Sequence, residues 1–188
     1  MSPNGWIDPI GSYGPHSRQW LGHSWRYYMA VGFTNADKRE VIGDFGCGVG
    51  YGSYIMSGNT NYVFGYDADP KAIEIASKKY LKDSINYQVM NFDEEIELPE
   101  VDVAVSFETL EHLKNPQNFA AMLKAAAKRL IIISTPVTPT VGVNPHHLHD
   151  FTEQSFQDLF LDDVWTLWEF VRQGPYGVLV AYRKEPDG

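Results

Sequence analysis

Short apolar runs alternate with stretches of helical periodicity from residue 41 onward, and this alternation constrains the fold more than any other feature of the chain. Val41–Phe45, Tyr62–Asp67, Ile85–Met90, Val101–Phe107 and Leu130–Ser134 read as buried strands. Tyr51–Ser57, Pro70–Lys82 and a segment from Asn115 to about Lys128 read as the helices between them. Asp69 and Asn115 stand at N-cap positions, and each is followed by proline, which suits the first helical turn. Thr152 caps a further helix that runs to about Phe160. Strands separated by helices imply right-handed crossovers and a parallel sheet with helices on both faces. Val164–Arg172 and Val178–Arg183 flank Gly174-Pro175-Tyr176-Gly177, a hairpin signature that makes the last strand antiparallel to its neighbour. The expected architecture is α/β, a seven-stranded, mostly parallel sheet closed by a C-terminal antiparallel hairpin.

The first 40 residues follow a different pattern. Residues 1–17 are rich in Gly, Pro, Ser and Asn and read as an irregular arm. Ser17–Phe33 places Trp20, Leu21, Trp25, Tyr28 and Met29 at helical spacing. No repeat or polar linker divides the chain, so 1–188 reads as a single domain, with 1–40 as arm and helix and 41–188 as core. The arm carries Trp6, Tyr13, His16 and Trp20, which fit a lid and fit ordinary packing equally well. The 188 residues carry a net charge of −9, which repels phosphate backbones and argues against a nucleic-acid partner. Aliphatic runs such as Leu130–Ile133 are far too short to cross a bilayer, and the N-terminus shows no secretory pattern. Cys47 is the one cysteine, so no internal disulfide is available. These features suggest a cytoplasmic protein.

The turn after the first strand carries the chemistry. Asp44-Phe45-Gly46-Cys47-Gly48-Val49-Gly50 joins a strand to a helix N-terminus, where glycines let a ligand approach the backbone. The dinucleotide pattern G-x-G-x-x-G fails here: counted from Gly46 its third glycine falls on Tyr51, and counted from Gly48 it falls on Ser53. In its place stands D-x-G-x-G-x-G, with a carboxylate at the strand end. That acid would repel a pyrophosphate and favours a ligand with a cationic group. Asp67, at the end of the second strand, is placed to accept both hydroxyls of a ribose. Asp69 is better placed than Asp67 to cap the next helix. An adenosine-type cofactor with a positive centre satisfies both carboxylates, and S-adenosylmethionine (SAM) is such a molecule.

Residues Val41–Gly52 resemble motif I of class I SAM-dependent methyltransferases. Val63–Ile73 resembles the family's acidic second motif, and Asp102–Leu113 its fourth-strand motif. The resemblance covers about residues 20–185 and implies a Rossmann-like fold. It is nearest to the bacterial branch acting on sugars and other small metabolites, which carries an upstream H-x-x-R-Y element, here His23-Ser24-Trp25-Arg26-Tyr27. By resemblance, Asp44, Gly46, Cys47 and Gly48 line the methionine part of SAM, and Asp67 with Ala68 takes the ribose. Arg26 or Tyr27 reaches the methionine carboxylate, although a solvated helix arginine explains Arg26 equally well. Asn91, with Phe92 and Phe107 nearby, faces the adenine. Asn91 stands where the family usually has an acid, and its carbonyl can still accept from the adenine amine. Ala125-Ala126-Ala127-Lys128-Arg129 replaces the family's glycine-rich turn and reads as a shortened loop.

Asn144-Pro145-His146-His147-Leu148-His149-Asp150-Phe151-Thr152 resembles the N-P-x-H-x-x-E-[FY]-[ST] element of the same branch. It implies His147 and Asp150 as catalytic residues, with His147 taking a proton where the acceptor must lose one. A bracing role for His147 and a helix-capping role for Asp150 fit the same residues. Glu108-x-x-Glu111-His112 with a later histidine also resembles the metal site of small-RNA 3′-terminal 2′-O-methyltransferases. The frequency of E-H-L in metal-free relatives and the charge of −9 favour a site with no metal. The expected activity is methyl transfer from SAM to O or N of a small-molecule acceptor, in the class of a sugar or sugar nucleotide, by a monomer or homodimer. The alternatives are a SAM-binding protein without transfer activity and a metal-dependent RNA 2′-O-methyltransferase.

Overall fold

A computed structural model describes residues 18–35, 39–58, 62–94 and 96–185. The arm residues Trp6, Tyr13 and His16 and the side chain of Trp20, expected above as lid or packing, lie outside the described residues. The chain divides into two compact units, 1–91 and 92–188. Its strands form a seven-stranded sheet in the order β3-β2-β1-β4-β5-β7-β6, the mixed Rossmann-like sheet the sequence implied. No helix among the described residues is long and apolar enough to cross a membrane.

The N-terminal unit contains α1 (Arg18–Phe33), β1 (Val41–Phe45), α2 (Tyr51–Met56), β2 (Tyr62–Asp67), α3 (Pro70–Lys79) and β3 (Ile85–Val89). β1, β2 and β3 pair in parallel, with Asp44 opposite Gly65 and Gly65 opposite Tyr87. The close approach at Gly65 is required: a Cβ there would stand 2.6 Å from the Tyr87 ring. The Asp69 side chain accepts from the Lys71 amide at 2.9 Å and caps α3, as its position before Pro70 predicts.

The C-terminal unit contains β4 (Val101–Phe107), a 3-10 turn (Leu110–His112), α4 (Pro116–Ala126), β5 (Ala127–Pro136), α5 (Glu153–Phe160), β6 (Trp165–Gln173) and β7 (Tyr176–Arg183). β4 and β5 are parallel, while β7 is antiparallel to both β5 and β6. The expected loop at Ala125–Arg129 is absent: α4 ends at Ala126 and β5 begins at Ala127, so helix and strand are continuous. Alanine tolerates both backbone regions, and the apolar run Leu130–Ile133 understates the strand because Lys128 and Arg129 lie at its more exposed start. The hairpin turn contracts to Gly174-Pro175, with Gly174 at φ 59.

Candidate functional site

In the N-terminal unit, two carboxylates converge on the turn after β1. Gly46, Gly48 and Gly50 take φ values of 91, 54 and 86, which side chains rarely adopt, so the three glycines are what allow this turn. Its amides are largely spent internally. Gly46 and Cys47 both donate to the Tyr66 carbonyl, at 2.8 and 2.9 Å, and Gly50 donates to the Cys47 carbonyl at 3.0 Å. The Gly48 amide donates to Asp67 Oδ2 at 2.8 Å. A pyrophosphate would find these donors engaged and two carboxylates nearby, so the failure of the dinucleotide pattern has a structural counterpart.

Asp67 also accepts from the Asp69 amide through Oδ1, at 2.9 Å. Each carboxylate oxygen has a second lone pair, which leaves acceptor capacity for a pair of vicinal hydroxyls. Burial pushes the Asp67 carboxyl up, against the pull of the Asp69 and Gly48 amides. Asp44 is fully buried, and Ser53 Oγ donates to its Oδ2 at 2.6 Å. Its other oxygen, Oδ1, has no hydrogen-bond partner among the described residues. Burial raises the Asp44 carboxyl to about 7, the Ser53 bond opposes that, and the Asp67 charge adds to it. A buried carboxylate oxygen without a donor is costly unless a ligand supplies one, and an ammonium group suits it.

Arg26 and Tyr27 come from α1. Both are buried, at 1% and 4% exposure, so Arg26 is not the solvated helix arginine weighed above. Tyr27 packs edge-on to Tyr51 with centroids 5.3 Å apart, and its ring covers Gly52. Burial first, then Asp44, pushes its phenol well above the ordinary range, while Arg26 pulls it down. Cys47 is buried, and its contribution to the turn comes through the backbone. Ala68 and Asn91 are exposed, the first immediately after β2 and the second just past β3.

In the C-terminal unit, Phe92 packs on Phe119 with centroids 5.1 Å apart, and Phe107 is buried at the end of β4. The chain then turns sharply: Glu108 takes φ 54, and its carboxylate accepts from Ser134 Oγ at 2.7 Å. That turn leads into the 3-10 turn bearing Glu111 and His112. Glu111 is buried at 1% exposure, and Thr135 Oγ1 donates to its Oε2 at 3.1 Å. His112 Nδ1 donates to the His146 carbonyl at 2.9 Å, the only role open to a ring nitrogen facing a carbonyl.

The segment after β5 folds back on this turn. Leu148 donates its amide to the Glu111 carbonyl at 2.8 Å, and His147 meets His112 edge-on with centroids 4.8 Å apart. His147 Nδ1 lies 2.7 Å from Thr140 Oγ1. Burial and the neighbouring His112 hold the His147 imidazole below its usual range, so it is neutral at neutral pH. Asp150 Oδ1 accepts from the Thr140 and Val141 amides, at 2.6 and 2.9 Å, and these bonds keep its carboxyl below the usual range. Asp150 therefore ties down the loop that holds Thr140 against His147. The helix cap is Thr152, which forms a capping box with Ser155. His146 is exposed, and His149 Nε2 lies 2.9 Å from the Leu113 carbonyl.

Sequence reasoning missed Ser53, Thr135 and Thr140. A signal for Ser53 was present, since it occupies the position where a dinucleotide site would carry its third glycine. Nothing local marked Thr135 or Thr140, whose partners lie in other segments.

Residues 43–130 match a family profile described as a methyltransferase domain. A Mycobacterium tuberculosis protein described as a probable S-adenosylmethionine-dependent methyltransferase is 29% identical over 137 residues, covering 66% of this chain and 47% of that protein. The chain thus spans about half the length of the curated relatives it matches. Among solved structures, magnesium protoporphyrin IX methyltransferase from Synechocystis PCC 6803 with bound SAM superposes with TM-score 0.72 at 17% identity. That match covers 96% of this chain and 100% of the other. A SAM-dependent methyltransferase from Mesorhizobium loti gives TM-score 0.70 at 14% identity, covering 84% and 98%.

Proposed function

We propose that this chain carries a class I SAM-dependent methyltransferase domain and that it transfers the SAM methyl group to oxygen or nitrogen of a small-molecule acceptor, a reading supported by the methyltransferase-domain match and the mycobacterial relatives. The observation that carries the reading is the buried Asp44 carboxylate, whose Oδ1 has no donor among the described residues, beside an Asp67 carboxylate with acceptor capacity to spare. The residues present fit SAM. Asp67 takes the ribose hydroxyls, the Gly46–Gly48 backbone runs along the methionine part, and Asp44 balances its ammonium. Arg26 supplies a buried cation for the methionine carboxylate, and Asn91 serves the adenine amine.

SAM supplies an electrophilic methyl group on a sulfonium, and the displacement is in line, so positioning and exclusion of water carry much of the catalysis. Where the acceptor carries a hydroxyl or an ammonium, a proton must leave it. The neutral His147 imidazole, with Nδ1 oriented by Thr140, is the proton acceptor in this reading, and Asp150 positions the loop. Two features support a small acceptor of the sugar or sugar-nucleotide class. The chain is acidic overall, and the connection from β5 to β6 holds only the 137–152 loop and α5, with no inserted domain.

Calorimetric titration with S-adenosylhomocysteine tests the cofactor half of the reading. Saturable one-to-one binding that Asp67→Ala weakens by about 10–100-fold supports it, the range expected for hydrogen bonds to a charged group. No heat from a folded sample at high micromolar ligand overturns it. Turnover with an acceptor panel, compared between wild type and His147→Ala, tests the transfer half.

A further inference from the structure

The C-terminal unit holds a second cluster that the cofactor turn does not explain. One carboxylate oxygen of Glu111 and one ring nitrogen from each of His112 and His147 all lie within 4.8 Å of one another. The two histidines are far apart in sequence and brought together by the loop after β5. Each of the three side chains is already oriented by a partner outside the trio. His112 Nδ1 donates to the His146 carbonyl, which leaves Nε2 as the lone-pair nitrogen. His147 is held through Nδ1 by Thr140 Oγ1, and Glu111 Oε2 is held by Thr135 Oγ1. Metal-binding histidines are oriented this way, through a hydrogen bond at the second ring nitrogen that fixes tautomer and ring plane. The loop itself is tied to the turn by the Leu148 amide on the Glu111 carbonyl.

We propose that Glu111, His112 and His147 form a binding site for a divalent transition-metal ion, with two imidazole nitrogens, one carboxylate oxygen and further positions open. Two nitrogens and one oxygen suit Zn²⁺, Co²⁺ or Mn²⁺ better than Mg²⁺, which prefers an all-oxygen shell. Glu108 is not part of the set, because its carboxylate is turned to Ser134. The site revises the metal-free expectation from the sequence; with an ion bound, the free lone pair of His147 is engaged, so the proton-accepting role given to His147 above belongs to the metal-free form. It depends on the transferase reading for its purpose but not for its existence, so each can fail alone.

The full chain, free of any histidine tag and stripped with chelator, is titrated with Co²⁺ while visible d–d absorption is followed, and with Zn²⁺ in competition. The expected result is one equivalent of Co²⁺ bound. His112→Ala and His147→Ala should each weaken it by about 100-fold or more, at least the upper end of what losing a partner that merely orients a metal ligand costs. Glu111→Gln, which keeps the size and the Thr135 contact, should weaken it comparably, and His149→Ala should leave it unchanged. S-adenosylhomocysteine binding is measured on the same samples, so loss of fold in a variant is seen directly. Absence of saturable Co²⁺ absorption in folded wild type overturns the site, as does unchanged affinity in His147→Ala and Glu111→Gln.

Discussion

Ser53 Oγ donates a 2.6 Å hydrogen bond to Asp44 Oδ2, and both residues are fully buried. The helix after the turn thus hands a hydroxyl to the carboxylate at the end of β1. This stabilises the charged form of a group that burial pushes toward neutrality.

Proton linkage follows from that pair. With the Asp44 carboxyl near 7 in the free protein, a cationic ligand group lowers it, so binding releases a proton wherever the free carboxyl is protonated. Titration of S-adenosylhomocysteine in buffers of different ionisation enthalpy should show release at pH 6 that fades above pH 8. Ser53→Ala removes a bond to the charged form, so release should persist to higher pH. Binding with no proton exchange at pH 6 would remove Asp44 from the ammonium site.

His23 and Asp44 should give opposing pH dependences of stability. Burial, aided by Arg26, lowers the His23 imidazole from 6.5 to about 4. Between those values the unfolded chain binds more protons, so this term loses stability as pH falls from 6.5 toward 4. Asp44 is raised from 3.8 to about 7, so the folded chain binds more protons and stability falls as pH rises through that window. His23→Gln leaves the Asp44 term unopposed. Relative to wild type, the variant's urea midpoint should therefore decline more steeply from pH 4.5 to pH 6.5.

Glycines 52 and 22 should respond to alanine with opposite signs. A Cβ on Gly52 would stand 2.1 Å from the Tyr27 ring, which is buried and cannot swing away, so Gly52→Ala should cost about 1–3 kcal/mol. Gly22, within α1, has nothing within 4 Å of its added Cβ, and Gly22→Ala should add about 0.5–1 kcal/mol. Urea denaturation of both variants checks the pair.

Loss of the capping box should weaken α5. Thr152 Oγ1 accepts from the Ser155 amide at 3.1 Å, and Ser155 Oγ accepts from the Thr152 amide at 2.9 Å. Thr152→Ala should cost about 1 kcal/mol, with amide exchange in Glu153–Phe160 accelerated ahead of the β5 core.

Much of this protein was legible locally. The bounds of β1, β2 and β4 are as the apolar runs indicate, and Asp69, Asn115 and Thr152 cap the helices their spacing suggests. The glycine turn with Asp44 and Asp67 could be read because both acids sit at strand ends, where their positions follow from a short stretch of sequence. The start of β5 was not legible, since Ala127–Arg129 suits helix and strand alike and pairing with β4 decides it. That a later histidine approaches Glu111 and His112 was raised only by resemblance, and which one does so, His147, was hidden, as were the hydroxyls of Ser53, Thr135 and Thr140 on their partners. Sequence alone determined most of the strands, helices and turns, because hydrophobic period and capping are properties of neighbouring residues. Only the tertiary structure decided which side chains meet, because a contact between distant segments depends on strand register and on the path of the loop between them.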